Sequence, residues 1–280
     1  MKTILYATDF SRQAVAALRL AYLMSENFNC KLIVMHVFSI PITLSTVSVS
    51  HINKEKRLLS ENHSKLRDYC TRYLGEIRES SNIDFVVEEN VSITDGIIGK
   101  AIEFDADLIT VGTKGASAIK EFLLGSTTKG LIKKASCTVL SVPEMSRTDS
   151  FKTMVYATDF EQADIFAIKK LEIIASIFDA QIRIVHISSK EEYAGDQQME
   201  WFKGMLQQNV RYGKITFDLI FSDQIFEELN GYLDKSEANL LAMLERKDNS
   251  FLQRYLRKDL VQKMVSNIAI PLLSFNTAGL

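Results

Sequence analysis

Short apolar runs alternate along the chain with longer segments in which apolar residues return every three or four positions. That alternation is the βαβα pattern of a parallel sheet covered by helices on both faces. In the first half the runs predict strands near Thr3–Ala7, Lys31–Val37, Phe85–Val91, Leu108–Val111 and Val139–Val142. In the second they predict strands near Thr153–Ala157, Ile182–Ile187, Ile215–Phe221, Leu240–Met243 and Leu272–Phe275. Ala14, Ala17, Leu18, Ala21 and Tyr22 line one face of a predicted helix, with Ser11 as its N-cap. Lys54–Ser80 predicts a longer, more polar helix, and the stretch around Glu191–Tyr212 its shorter counterpart. Residues 39–50, with a proline and many hydroxyls, predict a flap between the second strand and that long helix.

The pattern occurs twice. Thr3-Ile-Leu-Tyr-Ala-Thr-Asp-Phe10 and Thr153-Met-Val-Tyr-Ala-Thr-Asp-Phe160 agree at six of eight positions at an offset of 150, and the two differences exchange one apolar residue for another. The same offset pairs His36 with His186, each closing an apolar run. Farther on, Phe104–Val111 aligns with Ser236–Met243 at an offset of 132, so the second copy is shorter in its middle. The polar stretch Glu144–Ser150, after Pro143 and before a fresh strand, predicts a linker, and with it domains at 1–145 and 151–280.

Composition agrees with two globular domains: 280 residues, 46% apolar and 24% charged. A net charge of −2 supplies no field for a nucleic-acid backbone or an anionic membrane, so neither is expected as a partner. Cys30, Cys70 and Cys137 are odd in number and lack C-x-x-C spacing, which speaks against a disulfide framework or a metal site and suits a reducing compartment. With no apolar window long enough for a signal peptide or a membrane span, a cytoplasmic location is the expectation by elimination.

In a doubly wound sheet, ligands lie beyond the carboxyl ends of the strands where strand order reverses, so the residues after strands one and four carry the candidate chemistry. After strand one come Thr8-Asp9-Phe10-Ser11; after strand four come Gly112-Thr-Lys-Gly115 and, nine residues on, Gly125-Ser126-Thr127 before a helical segment. Glycines let backbone N–H groups approach an anion closely, and hydroxyls at a helix start meet the positive end of its dipole. This outlines a polyphosphate site. Both G-x-x-x-x-G-K-[ST] and a G-x-G-x-x-G after the first strand are absent, so Walker-type NTPases and dinucleotide dehydrogenases lose their main support. Lys114, Lys120 and Lys129 are read as solvated surface, and His36 and His186 as structural.

At these residues the chain resembles the universal stress protein family. Gly112, Gly115, Gly125 and Ser126 match its pattern of glycine, two residues, glycine, nine residues, glycine and Ser/Thr without a gap. The resemblance implies α/β architecture: two tandem doubly wound, Rossmann-like domains of the adenine nucleotide alpha hydrolase type, each with a five-stranded parallel sheet. It also implies ATP, with or without Mg²⁺, at the switch point. Carried over position by position, Asp9 meets the ribose or base, with Thr8 beside it as a further binding candidate, Val37 lines the adenine pocket, and Gly112, Gly115, Gly125, Ser126 and Thr127 hold the phosphates. Ala7 departs from the proline common in ATP-binding members.

The equivalent stretch of the second half, Leu244 to Asp259, has no glycine and adds Glu245, Asp248 and Asp259, so that site is expected to be empty or to take something smaller. Asp159 there is read as a turn and cap residue. The apolar last strands, Cys137–Val142 and Ile270–Phe275, predict that the two halves cover each other, with a homodimer as a further assembly. Three functions stay open: an ATP-binding stress-response protein acting through a protein partner, a structural or interaction module without nucleotide, and a slow ATP hydrolase. Apart from Asp9, no acidic residue occupies a motif position suited to hydrolysis, which favours binding over catalysis.

Overall fold

Thr3–Ala7 forms β1 and is buried along its whole length, as a strand flanked on both edges and covered on both faces requires. The computed structural model describes residues 1–40, 49–76, 82–113, 124–146, 150–189, 196–246 and 260–277. The chain divides into two units, Met1–Glu144 and Met145–Leu280.

In the first unit β1 is followed by a 3₁₀ turn (Arg12–Ala14), α1 (Val15–Phe28), β2 (Lys31–Phe38), α2 (Val49–Leu74), β3 (Ile83–Glu89), α3 (Ile93–Glu103), β4 (Leu108–Gly112), α4 (Ser126–Lys134) and β5 (Thr138–Val142). Its strand order is β3-β2-β1-β4-β5, and the pairings are parallel. The order therefore reverses between β1 and β4, which opens the crevice of a doubly wound sheet there. The second unit repeats the plan with β6 (Thr153–Ala157), α5 (Gln162–Phe178), β7 (Gln181–Ser188), α6 (Asp196–Asn209), β8 (Ile215–Phe221), α7 (Ile225–Lys235), β9 (Leu240–Glu245), α8 (Leu260–Asn267) and β10 (Leu272–Asn276). Its order is β10-β9-β6-β7-β8, again parallel, with the reversal between β6 and β9.

The repeat extends to the backbone. Among the described residues, the six non-glycine residues with positive φ are Phe10, Asn29, Asp105, Phe160, Asp179 and Glu237. They fall into three pairs at the offsets of 150, 150 and 132 read from the sequence. Asn29 and Asp179 end α1 and α5 in the left-handed conformation, the usual device for stopping a helix where glycine is absent.

Three expectations change. Strand β3 ends at Glu89, leaving Val91 75% exposed; an edge strand half-open to solvent has little burial to fix its ends. Helix α2 spans Val49–Leu74 where Lys54–Ser80 was expected, and Gly75, at φ 89°, follows its last residue. Ser11 precedes the 3₁₀ turn but makes no side-chain capping bond; its hydroxyl is buried without a partner, and α1 starts later, at Val15. The expected flap at 39–50 falls mostly on 41–48, outside the described residues.

Candidate functional site

The parallel register brings the predicted residues of the first unit to one level. Ala7 pairs with Met35 and Tyr6 with Thr110, so the next residues up, Thr8, His36 and Gly112, stand side by side at the carboxyl ends of three adjacent strands. Thr8 is buried and fixed on all sides. Its N–H donates to Met35 O (3.0 Å), its carbonyl accepts from His36 Nδ1–H (2.8 Å), and its hydroxyl accepts from Phe10 N–H (3.0 Å). Because a carbonyl only accepts, His36 carries its proton on Nδ1. Burial lowers the His36 pKa, keeping the ring neutral, with the bond to Thr8 opposing that effect.

Phe10, with φ 63°, is bulky for a left-handed position and needs its neighbours to hold it there. Its ring lies 4.2 Å from the His36 ring, and Lys65 Nζ of α2 stands 4.2 Å above it. Asp9 is turned to solvent, and one of its oxygens accepts Ser11 N–H at 3.0 Å, an Asx-type turn. Below them Tyr6 donates to Ala14 O (2.8 Å) and Tyr69 to Ser11 O (3.3 Å), anchoring the start of α1. Val37, one residue past His36, is buried against α3, where Gly96 leaves no more than a hydrogen's room: a Cβ there would stand 3.0 Å from Val37 Cγ1.

On the β4 side the chain leaves and returns through a narrow neck. Gly125 N–H donates to Thr113 O (2.9 Å), Thr113 N–H to Val142 O (3.1 Å), and the buried Thr128 hydroxyl to Gly112 O (2.9 Å). Gly125 is the N-cap of α4 and has no side chain with which to satisfy the helix's first N–H groups; Ser126 is exposed and Thr127 half-buried beside them. The structure thus brings Thr8, Asp9, Val37, Gly112, Gly125, Ser126 and Thr127 to the same end of the sheet. Gly115, Lys114 and Lys120 lie outside the described residues, and Lys129 is exposed on α4.

The second unit reproduces the turn and changes what faces it. His186 Nδ1–H donates to Thr158 O at 2.7 Å, Phe160 has φ 59°, and the two rings stack at 4.3 Å. Burial lowers the His186 pKa as it does that of His36. Beyond β9, past the acidic Glu245 noted in the sequence, the next residue brings a cation to the corner. Arg246 pairs through Nη1 with Asp159, through Nη2 with both oxygens of Asp164 (3.1 and 3.3 Å), and stands with Nε 3.5 Å from Glu161 Oε2. The last separation is an ion-pair distance, too long for a good hydrogen bond. Asp159, read as a turn and cap residue, is therefore also an ion-pair partner.

Asp164 is fully buried and organises this corner. Its carboxylate accepts from Tyr156 OH (2.8 Å), Thr158 Oγ1 (2.9 Å) and the N–H groups of Asp159 and Glu161 (3.1 Å each), besides Arg246. The signal that could have found it is the repeat itself: Asp164 stands at the position of Ala14, a charge on the buried face of an amphipathic helix. Asp248 and Asp259 lie outside the described residues.

Comparison with known proteins agrees with this geometry. The model of the universal stress protein family matches residues 1–143. A universal stress protein of Methanocaldococcus jannaschii is 29% identical over 152 residues, 50% of this chain and 94% of that protein. Among solved structures, a universal stress protein of Archaeoglobus fulgidus superposes with TM-score 0.68 at 15% identity, covering 98% of each chain. One from Pseudomonas aeruginosa gives TM-score 0.67 at 14% identity, covering 99% of this chain and 93% of that one. At such identity these two likenesses establish the fold, and they do so across both units. A family match over half the chain, the twice-wound parallel sheets and the repeated turns together place this chain in the universal stress protein family.

Proposed function

We propose that the first unit binds an adenine nucleotide, ATP with or without Mg²⁺, at the carboxyl ends of β1, β2 and β4, and that the chain works as a nucleotide-responsive stress protein. The observation that carries this is the neck at Gly112 and Gly125. It delivers the open N-terminus of α4 to the level of Asp9 and Val37, so groups suited to phosphate, ribose and base share one crevice. In this proposal Val37 walls the base, Thr8 and Asp9 face the sugar, and Gly112, Gly115, Gly125, Ser126 and Thr127 surround the phosphates. The second unit serves as scaffold or partner surface. No helix among the described residues is long and apolar enough to cross a membrane.

Calorimetric titration of ATP and Mg²⁺ into nucleotide-free protein tests the proposal. One site per chain is the expected result, and it should disappear in Gly125→Val. Gly125 has φ −60° and ψ 142°, a backbone any residue adopts, so the variant adds bulk at the site without straining the turn. Absence of binding in the unaltered protein would instead favour an interaction module. Sedimentation of the same sample, with and without ATP, reports whether self-association follows occupancy.

A further inference from the structure

The charge cluster of the second unit has no part in the nucleotide proposal, yet it gathers three carboxylates and a guanidinium around the fully buried Asp164. Three carboxylates, from the turn after β6 and the first turn of α5, converge on one guanidinium delivered by the end of β9. Ala157 pairs with Val185 and with Met243, so this meeting point sits just past the level of Thr158, His186 and Leu244, at the strand-order reversal. It corresponds to the crevice proposed above for a nucleotide in the first unit.

We propose that this crevice is a guanidinium receptor, and that Arg246 occupies it as a tethered ligand. Three features support this. The two Nη atoms of Arg246 donate to two different carboxylates, Asp159 and Asp164, as the planar fork of a guanidinium allows and an ammonium does not, while Nε makes only an ion-pair contact with Glu161. Asp164, the innermost carboxylate, is oriented by four donors other than Arg246, so the receptor is shaped before any guanidinium arrives. The sign of the charge is also opposite to that of a phosphate site: three acidic side chains surround one basic one. The ligand class is thus a guanidinium, and this chain supplies its own.

Chemical rescue tests the proposal without reference to nucleotide. Arg246→Gly removes the tethered group and leaves the carboxylates in place. Because Asp164 keeps four donors, the variant should fold with a lowered unfolding midpoint, followed through Trp201, the single tryptophan, which lies on α6 of this unit. Methylguanidinium at ~1–20 mM should raise that midpoint saturably, by about 3–5 °C at several times its dissociation constant, while methylammonium at equal ionic strength should not. The unaltered protein should show no saturable shift with methylguanidinium. Equal rescue by both cations, or no rescue, would overturn the receptor; a saturable shift in the unaltered protein would overturn the claim that Arg246 fills it. If Arg246→Gly does not fold, Arg246→Gln carries the same comparison, since it keeps the stem and lacks the fork.

Discussion

Replacing Asp164 by alanine removes the acceptor around which the start of α5 is organised. Two hydroxyls and two backbone N–H groups, all donating within 3.1 Å, lose their partner at once, and Arg246 loses its innermost carboxylate. Breaking a buried ion pair costs roughly 3–5 kcal/mol, and stranded buried donors about 1–3 kcal/mol each, in terms that do not add. A total near 4 kcal/mol is a reasonable central figure, since Tyr156 could reach a backbone carbonyl as Tyr6 reaches Ala14 O in the first unit. With a urea slope of about 1–3 kcal/mol/M, the unfolding midpoint of the second unit should fall by roughly 1.3–4 M. Trp201 fluorescence reads that unit selectively, because the first unit contains no tryptophan. Asp164→Asn, which keeps one acceptor oxygen, should lose less. A midpoint within about 0.3 M of the unaltered protein for Asp164→Ala would refute the organising role and, with it, the geometric basis of the receptor.

Other perturbations test separate features. His36 and His186 have pKa values lowered by burial, so the folded protein favours neutral rings; their stabilisation is fully present above about pH 6.5 and is lost as pH falls below it toward the depressed folded values. The urea midpoint should decline between pH 7 and 5, and a midpoint that rises over that interval would contradict the assignment. Gly96→Ala should weaken nucleotide binding several-fold by displacing Val37, read by the same calorimetric titration, although alanine favours the helix by about 1 kcal/mol. Unchanged affinity would remove Val37 from the site. Asp179→Gly, at φ 54° with no Cβ to crowd the left-handed turn, should stabilise the second unit by a few tenths to about 1 kcal/mol in urea unfolding.

How far the sequence reveals the molecule depends on burial. Strands β1 and β6 end where their apolar runs end, because β1 is buried along its whole length and β6 at its three central positions. Strand β3 slips by two residues against expectation, since an edge with one open side tolerates Val91 in water. Gly112, Gly125 and Ser126 are marked by spacing within one short window, and the neck brings Gly112 and Gly125 together, although Gly125, at φ −60° and ψ 142°, has a backbone open to any residue. Arg246 and Asp164 are not: they lie 82 residues apart and meet only after β9 is laid beside β6. No window of sequence holds both, and only the comparison of the two copies marks Asp164 as foreign to its helix face. Arg246 then meets it as the first residue past the end of β9, the position where the first copy has Lys114.

The three matched left-handed turns locate the difference in length between the copies. Phe10 with Phe160 and Asn29 with Asp179 keep the offset of 150, whereas Asp105 with Glu237 shows 132, so the missing residues lie between the end of the first helix and the end of the third. That interval holds α2, 26 residues long, and its counterpart α6, with 14. The strands that border the switch point, β1 with β4 and β6 with β9, lie on either side of the interval. A difference in length confined to that flank leaves the crevice-building strands undisturbed: Ile4 pairs with Leu108 as Met154 pairs with Leu240, although α2 and α6 differ in length.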